Sequence, residues 1–491
     1  MFDNQKFNLK SKFEGFDYQI QTLLSARDLE YAAIFHEQGL GKTKIAIDLG
    51  LDWLKENIVD SVIIVAKKGL IKNWEDEIKT HSFIKARVLN NDELNNHEVF
   101  CSPARIILMH YQVALKEKER LQLYLRSMRV GVILDESQVI KTPDSNLSAT
   151  FHFLSEFFKK KLILTGTPVA NRPYDIWSQI YFLDKGKSLG ESYSEFKNNT
   201  DLSNDLHEND LGRTTFIDSL SKIDKSINSF CFRKTKKTAN LDLPNKNFKN
   251  ISVKLEPVQL EYYIKYRDEL GGVILRDGIP VYDNSENLLK KMLRLVEIAS
   301  NPYIFDDAYM HVPSKYSYLL DIIYDAKDKS EKCIVWSNYK KNVDWLYKNL
   351  NEFNPVRIYG GIAIDDRNKY LEKFKTDQTC QILIATPASL KEGFTITVAN
   401  HCIFFDRIFS LDDYLQAQDR IHRISQEKEC YIYNLIAENT IDIWIDELLG
   451  AKELAAQFAQ GDIEIDQYIT QANFDYGLMI QNILNINQED T

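Results

Sequence analysis

The chain has 491 residues, 61 of them basic and 71 acidic, for a net charge of −10 with histidine neutral. That length predicts more than one domain, and the acidic balance excludes a uniformly basic coat for nucleic acid while leaving room for a local positive cleft. Apolar residues at 44% and aromatics at 12% exclude a largely disordered chain, and 19 glycines and 11 prolines exclude a collagen-like or linker-dominated design.

The first residues, Met1-Phe2-Asp3-Asn4-Gln5-Lys6, hold no apolar leader segment, and no apolar run reaches the roughly 18 residues a membrane span needs, so a cytoplasmic setting without membrane contact is expected. Short continuous apolar runs follow at Tyr31–Phe35, Val62–Val65, Ile106–Met109, Val130–Leu134 and Leu162–Leu164. Runs of that kind predict strands buried on both faces, as in a parallel sheet covered by helices. The clearest helix lies between Lys42 and Lys55, where Ile45, Leu49 and Trp53 recur every four residues on one face.

Between the first strand and that helix stands Glu37-Gln38-Gly39-Leu40-Gly41-Lys42-Thr43. Phosphate oxygens need several backbone N–H donors at close range, which glycine permits, and the helix N-terminus adds positive dipole. Lys42 is placed to reach the β- and γ-phosphates of ATP, and the Thr43 hydroxyl to ligate Mg²⁺. Position 36 is His where the strict phosphate-loop template has glycine. Further on, Val132-Ile133-Leu134-Asp135-Glu136-Ser137-Gln138 delivers two carboxylates at the end of a buried strand, where open α/β sheets bind ligand. Asp135 suits Mg²⁺, and Glu136 suits proton acceptance from an attacking water.

From about Pro173 to Ser229 the strand signal fades. Tyr174–Leu183 and Tyr193–Lys197 read as helices, and the polar Asn198–Arg213 stretch as a surface loop. The basic run Arg233-Lys234-Thr235-Lys236-Lys237 reads equally as a DNA contact or a solvated linker. Helical patterns at Pro257–Leu270 and Asn287–Ala299 precede a second α/β rhythm. Its strands are expected at Cys333–Trp336, Val356–Tyr359, Gln381–Ala385, Cys402–Phe405 and Cys430–Leu435, with helices at Lys341–Leu350, Asp366–Phe374 and Leu411–Ile421. Arg420 and Arg423, three apart on a helix, share one face. The six cysteines are scattered without a CxxC pair, so they read as small buried hydrophobes in a reducing compartment rather than as metal ligands. Asp60, Glu77 and Lys79 fit a loose nuclease pattern that a charged chain produces by chance.

The ordered series of motifs resembles the Swi/Snf-type ATPases, helicase-like DNA translocases of superfamily two. Phe16-Asp17-Tyr18-Gln19 is similar to the adenine-recognising glutamine motif, and Gly39-Leu40-Gly41-Lys42-Thr43 to motif I. Val62–Val65 with Asn73-Trp74-Glu75-Asp76-Glu77 resembles motif Ia, and Met109-His110-Tyr111 falls at motif Ib. Asp135-Glu136-Ser137-Gln138 with Ile140-Lys141 resembles motif II, with Gln138 in place of a histidine. Leu164-Thr165-Gly166-Thr167-Pro168 is similar to motif III, Ile334–Ser337 to motif IV, and Ser389-Leu390-Lys391-Glu392-Gly393 to motif V. Gln416-Ala417-Gln418-Asp419-Arg420-Ile421-His422-Arg423-Ile424-Ser425-Gln426 is nearly motif VI, with Ser425 in place of a glycine.

The resemblance implies an α/β fold of two RecA-like lobes, parallel sheets covered by helices, with helical insertions. The expected boundaries are 1–232 for the N-terminal lobe (insertion about 173–232), 233–450 for the C-terminal lobe (insertion about 257–312) and 451–491 for a helical tail. It further implies that Gln19, Glu37, Gln38, Leu40 and Gly393 join the glycine loop in holding ATP. Lys42, Asp135 and Glu136 would then carry catalysis with Mg²⁺, and Arg420 and Arg423 would act as fingers from the second lobe. Duplex DNA would lie on Lys67, Trp74, Lys141, Thr165, Thr167, Asn338 and Thr386. The implied function is ATP-driven translocation on double-stranded DNA by a monomeric motor, with protein partners supplying the targeting. An ATP-gated DNA clamp within a larger assembly and a strand-separating DNA or RNA helicase are the alternatives.

Overall fold

The computed structural model describes residues 8–204, 210–239, 243–276, 285–390 and 395–472. Among them the strands are β1 (Tyr31–Ile34), β2 (Ser61–Ala66), β3 (Arg87–Leu89), β4 (Ile106–His110), β5 (Val130–Asp135), β6 (Lys160–Leu164), β7 (Cys231–Phe232), β8 (Lys246–Val253), β9 (Cys333–Trp336), β10 (Val356–Ile358), β11 (Ile382–Ala385), β12 (His401–Phe404) and β13 (Cys430–Ala437). They form two sheets, ordered β3-β4-β2-β5-β6-β1-β7 and β10-β11-β9-β12-β13-β8, and every pairing is parallel.

The physical basis is the one the apolar runs suggest. All six residues of β2 are buried, as are all five of β4, because helices cover both faces of the sheet. The helix Lys42–Lys55 buries Ile45, Leu49 and Trp53 against this sheet, in one apolar cluster with Val62, Ile64, Ile133 and Leu162. In the second sheet Val335, Ile382, Ile384 and Ile403 share a cluster with Leu346 and Phe353.

The chain divides into two compact units, Met1–Leu241 with Ala455–Ile469, and Asp242–Leu454 with Thr470–Thr491. The first boundary falls a little after the one expected at 232. The expected tail is itself divided, since Ala455–Ile469 groups with the first unit. Most of the expected helices are present, among them Trp177–Asp184, Tyr193–Thr200, Lys340–Asn349 and Ile364–Thr376.

Two expectations are corrected. The stretch Asn198–Arg213, read as a loop, ends inside a helix over Asp210–Ile227 that buries Phe216, Leu220, Ile223 and Ile227 at helical spacing. The helix expected over Leu411–Ile421 stops at Gln418. There the Arg420 and Ile421 amides reach back only three residues, to Ala417 and Gln418, which tightens the chain into turns. No helix among the described residues is long and apolar enough to cross a membrane.

Candidate nucleotide site

Three neighbouring strand ends of the first unit build the site. β1 runs into the loop Phe35–Gly41, β6 into Thr165-Gly166-Thr167, and β5 ends on Asp135. Because β1, β6 and β5 are adjacent and parallel, their carboxyl ends open on the same edge of the sheet.

In the loop Gly39 and Gly41 take φ of +86° and +66°, which a Cβ disfavours, and Gly41 caps the helix Lys42–Lys55 from the left-handed region. A Cβ at Gly41 would collide with the Gln19 amide, and one at Gly166 with Gln38. The side chains around the loop therefore leave room only for bare backbone. Gln19 is buried; it accepts from the Phe16 amide at 3.0 Å and donates to the Leu40 carbonyl at 3.2 Å, beside Tyr18, whose hydroxyl donates to the same carbonyl at 3.0 Å. Lys42 donates to the carbonyls of His36 (2.8 Å) and Glu37 (3.3 Å), which holds its ammonium over the loop. Thr43 follows in the first turn of the same helix.

Asp135 is pinned from three directions. The Trp74 indole donates to Oδ2 at 2.8 Å, the Glu136 amide to Oδ1 at 3.0 Å, and the Tyr111 hydroxyl to its carbonyl at 2.7 Å. Burial, then repulsion from Glu136, pushes the Asp135 carboxyl up to about 6, while Trp74, Lys42 and Lys67 favour the ionised form. Glu136 sits at φ +53°, a strained setting for a side-chain-bearing residue, and its carboxylate accepts from Gln138 at 2.6 Å. Gln138 thus tethers the neighbouring carboxylate. The two adjacent carboxylates offer hard oxygen donors of the kind Mg²⁺ takes. The described residues hold no cluster of three or more His, Cys, Asp or Glu side chains that would bind another metal.

His36 is fully buried, with Nε2 at 2.9 Å from the Thr22 hydroxyl. Burial first, then the Lys42 and Arg233 charges, lower its pKa to about 3. The folded protein keeps His36 neutral between pH 6.5 and about 3, while the unfolded chain takes up a proton below 6.5. Stability carried by neutral His36 is therefore present above pH 6.5 and lost as pH falls, by up to ~1.4 kcal/mol per pH unit. His36→Gln, which retains an amide able to meet Thr22, is expected to flatten the decline of Tm from pH 6.5 to 4.5. Thermal melts of both proteins across that range check it, and parallel declines would refute it.

Several residues expected to touch DNA are placed otherwise. Trp74 is 1% exposed and committed to Asp135, so its surface is unavailable to a nucleic acid. Thr165 is fully buried and accepts from the Thr167 amide; it shapes the turn after β6. Thr167 itself is 7% exposed. Lys141 pairs with Asp175 at 3.1 Å and is partly open, and Lys67 is partly open at the end of β2. Within the basic run at 233–237, Arg233 binds Asp462 and Lys236, 8% exposed, pairs with Glu37, while Lys237 stays exposed. Asp60 is held by Arg129 rather than by a metal-like cluster.

In the second unit Asp406, 1% exposed, accepts from Ser337, from the Asn338 amide at 2.7 Å and from the Asn338 side chain at 3.0 Å. Thr386 follows β11, partly open, its amide bound to Ile358. Gly393 lies outside the described residues. Arg420 and Arg423 lie past the helix end rather than on a helix face. Their Nε atoms donate to the carbonyls of Gln416 (3.1 Å) and Asp419 (3.0 Å), so each guanidinium caps the negative end of the helix. Arg423 also donates to the Thr395 hydroxyl at 2.9 Å and stays partly open; Arg420 is 2% exposed. Sequence reasoning missed the roles of Trp74 beside Asp135 and of Asp462 beside Arg233, contacts that join residues far apart in the chain.

Two parallel sheets covered by helices, the first with a glycine loop and an acidic pair at adjacent strand ends, define a helicase-like ATPase core. Residues 24–304 match the SNF2-related domain model and residues 314–425 the helicase conserved C-terminal domain model. The chain is 26% identical to an uncharacterised ATP-dependent helicase of Mycoplasma genitalium, over 92% of this chain and 42% of that protein. It is 25% identical to the ISWI chromatin-remodeling complex ATPase ISW1 of Saccharomyces cerevisiae, over 93% of this chain and 40% of that one. The solved Sulfolobus solfataricus SWI2/SNF2 ATPase core in complex with dsDNA aligns over 97% of this chain and 98% of its own, at 24% identity and a TM-score of 0.43. The chain belongs to the SNF2-related family of helicase-like ATPases. It spans about two fifths of the length of the curated relatives it matches.

Proposed function

We propose that the chain is a DNA-stimulated ATPase that translocates on double-stranded DNA. The observation that supports this most is the convergence of Lys42, Asp135 and Glu136 on one edge of the first sheet, in a chain whose second unit carries Arg420 and Arg423.

The reading assigns each residue a task. The loop amides and Lys42 bind the β- and γ-phosphates of ATP; Gln19 contacts the base. Thr43 and Asp135 hold Mg²⁺, which when bound supplies charge neutralisation to the phosphate oxygens. Glu136, fixed by Gln138, orients the attacking water and accepts its proton. Arg420 and Arg423 complete the charge around the γ-phosphate from the second unit, so hydrolysis follows closure and release of products follows opening. Alternation between those states moves the chain along DNA held on Lys67, Lys141, Thr167, Asn338 and Thr386. Partner proteins supply targeting to the monomeric motor.

The test is the ATPase rate with duplex DNA, single-stranded DNA and RNA, joined to a triplex-displacement assay. Duplex is expected to stimulate most and to support displacement. Preference for RNA or single strands would replace the reading with a strand-separating helicase, and hydrolysis without displacement would replace it with an ATP-gated clamp. Because net charge is −10, DNA binding must rest on a few local cations releasing counterions. With about six phosphate contacts, affinity is expected to drop roughly 10³-fold between about 50 and 200 mM salt, measured by fluorescence anisotropy.

A further inference from the structure

The wall of the phosphate loop is made by a segment from much later in the chain. β7 pairs with β1 in the register Ala33↔Cys231 and Ile34↔Phe232. Past the end of that pairing the two chains stay joined: the Phe35 amide donates to the Phe232 carbonyl at 2.8 Å and the Glu37 amide to the Lys234 carbonyl at 2.8 Å. The Lys236 amide donates to the Glu37 carboxylate at 2.7 Å.

Arg233 stands in the middle of this seam. Its Nη1 donates to the Phe35 carbonyl at 2.6 Å, one residue before His36, whose own carbonyl receives Lys42. Nε and Nη2 are both taken by one carboxylate. Nε lies 3.1 and 3.2 Å from the two oxygens of Asp462, and Nη2 lies 2.6 Å from Oδ2. The two side chains are 20% and 14% exposed, so the fork is largely shielded from water.

Asp462 is itself fixed. It follows Gly461, at φ +70°, where a Cβ would stand 2.8 Å from the Asp224 carboxyl carbon, and its amide donates to the Gln457 carbonyl at 2.9 Å. The turn after the helix Ile441–Ala459 is therefore seated closely on the helix Asp210–Ile227, within the first unit. A planar fork whose Nε and Nη2 are held by one rigid carboxylate has its Nη1 fixed in place, where one N–H meets the Phe35 carbonyl.

We infer that Asp462 is a positioning residue of the ATP site, acting through Arg233 on the Phe35 carbonyl to hold the entry of the phosphate loop in its binding shape. The inference rests on the reading of Gly39–Thr43 as the ATP phosphate loop. Asp462 touches no substrate; its effect is on how well the loop is preorganised before ATP arrives, so it falls on binding rather than on the chemical step.

The test uses the full chain. Asp462→Asn keeps the shape and removes the charge; KM for ATP is expected to rise about 3- to 10-fold with kcat within about twofold. Asp462→Glu is expected to restore most of the affinity. Arg233→Lys, which replaces the fork by a point charge unable to serve Asp462 and Phe35 together, is expected to raise KM similarly and keeps the test open should Asp462→Asn fold poorly. A fall in Tm with unchanged KM, in whichever of the two variants folds, would show a merely structural pair and overturn the inference. Lys42→Ala run alongside separates the two failures: if it retains turnover, the phosphate-loop reading itself falls, and if it is dead while KM stays fixed in the other variants, only the role of Asp462 falls.

Discussion

Lys42→Ala is expected to lower ATP turnover by at least about 10²–10³-fold, the loss typical of removing one preorganised donor from developing charge. The fold should survive. Lys42 opens the helix Lys42–Lys55, and alanine is the best helix former, so the backbone is not disfavoured. Loss of the lysine removes hydrogen bonds to the carbonyls of His36 and Glu37, at a cost of about 1–3 kcal/mol. Glu136→Gln removes the proton acceptor while keeping the shape that Gln138 holds, so it should lose turnover yet retain ATP binding. Phosphate release in the presence of duplex DNA, with nucleotide binding and Tm measured in parallel, decides the matter. Unchanged DNA-stimulated hydrolysis in both variants would refute the assigned site.

The parts of this fold that the sequence reveals are those where one physical demand dominates. β2 and β4 are buried on both faces along their whole length, so their apolar runs locate them within a residue or two. The glycine loop is legible because Gly39 and Gly41 meet a backbone requirement that few residues satisfy. β8 shows the opposite case. It is an edge strand, half of whose residues from Lys246 to Val253 are exposed, and its mixture of Lys, Asn and Phe follows from water on its open side rather than from strand pairing. β3 and β7 are too short to carry a pattern. The helix Asp210–Ile227 is a different failure: Phe216, Leu220, Ile223 and Ile227 do spell an apolar face, but the polar residues just before them draw the reading toward a loop. Trp74 illustrates the last kind. Its indole and the Asp135 carboxylate meet across 61 residues, and no local pattern in either segment announces the other.

Arg423→Ala is expected to reduce kcat by roughly 10³–10⁵-fold, the span attributed to an arginine finger, with ATP and DNA affinity little changed. The geometry separates the two arginines despite their spacing of three. Arg423 is partly open, tethered through Nε to the Asp419 carbonyl and through Nη1 to the Thr395 hydroxyl. Arg420, at 2% exposure, is also a packing element of the turn that ends the helix Leu411–Gln418. Its truncation should therefore lower Tm as well as kcat, whereas Arg423→Ala should lower kcat alone. Lysine at 423 is expected to rescue little, since a point charge cannot keep both tethers and reach a phosphate oxygen. Single-turnover hydrolysis with saturating duplex, beside melts of each variant, supplies both readouts. If Arg423→Ala hydrolyses ATP within tenfold of the parent, the second unit does not complete the site in the proposed way, and the closing stroke that links hydrolysis to movement loses its chemical cause.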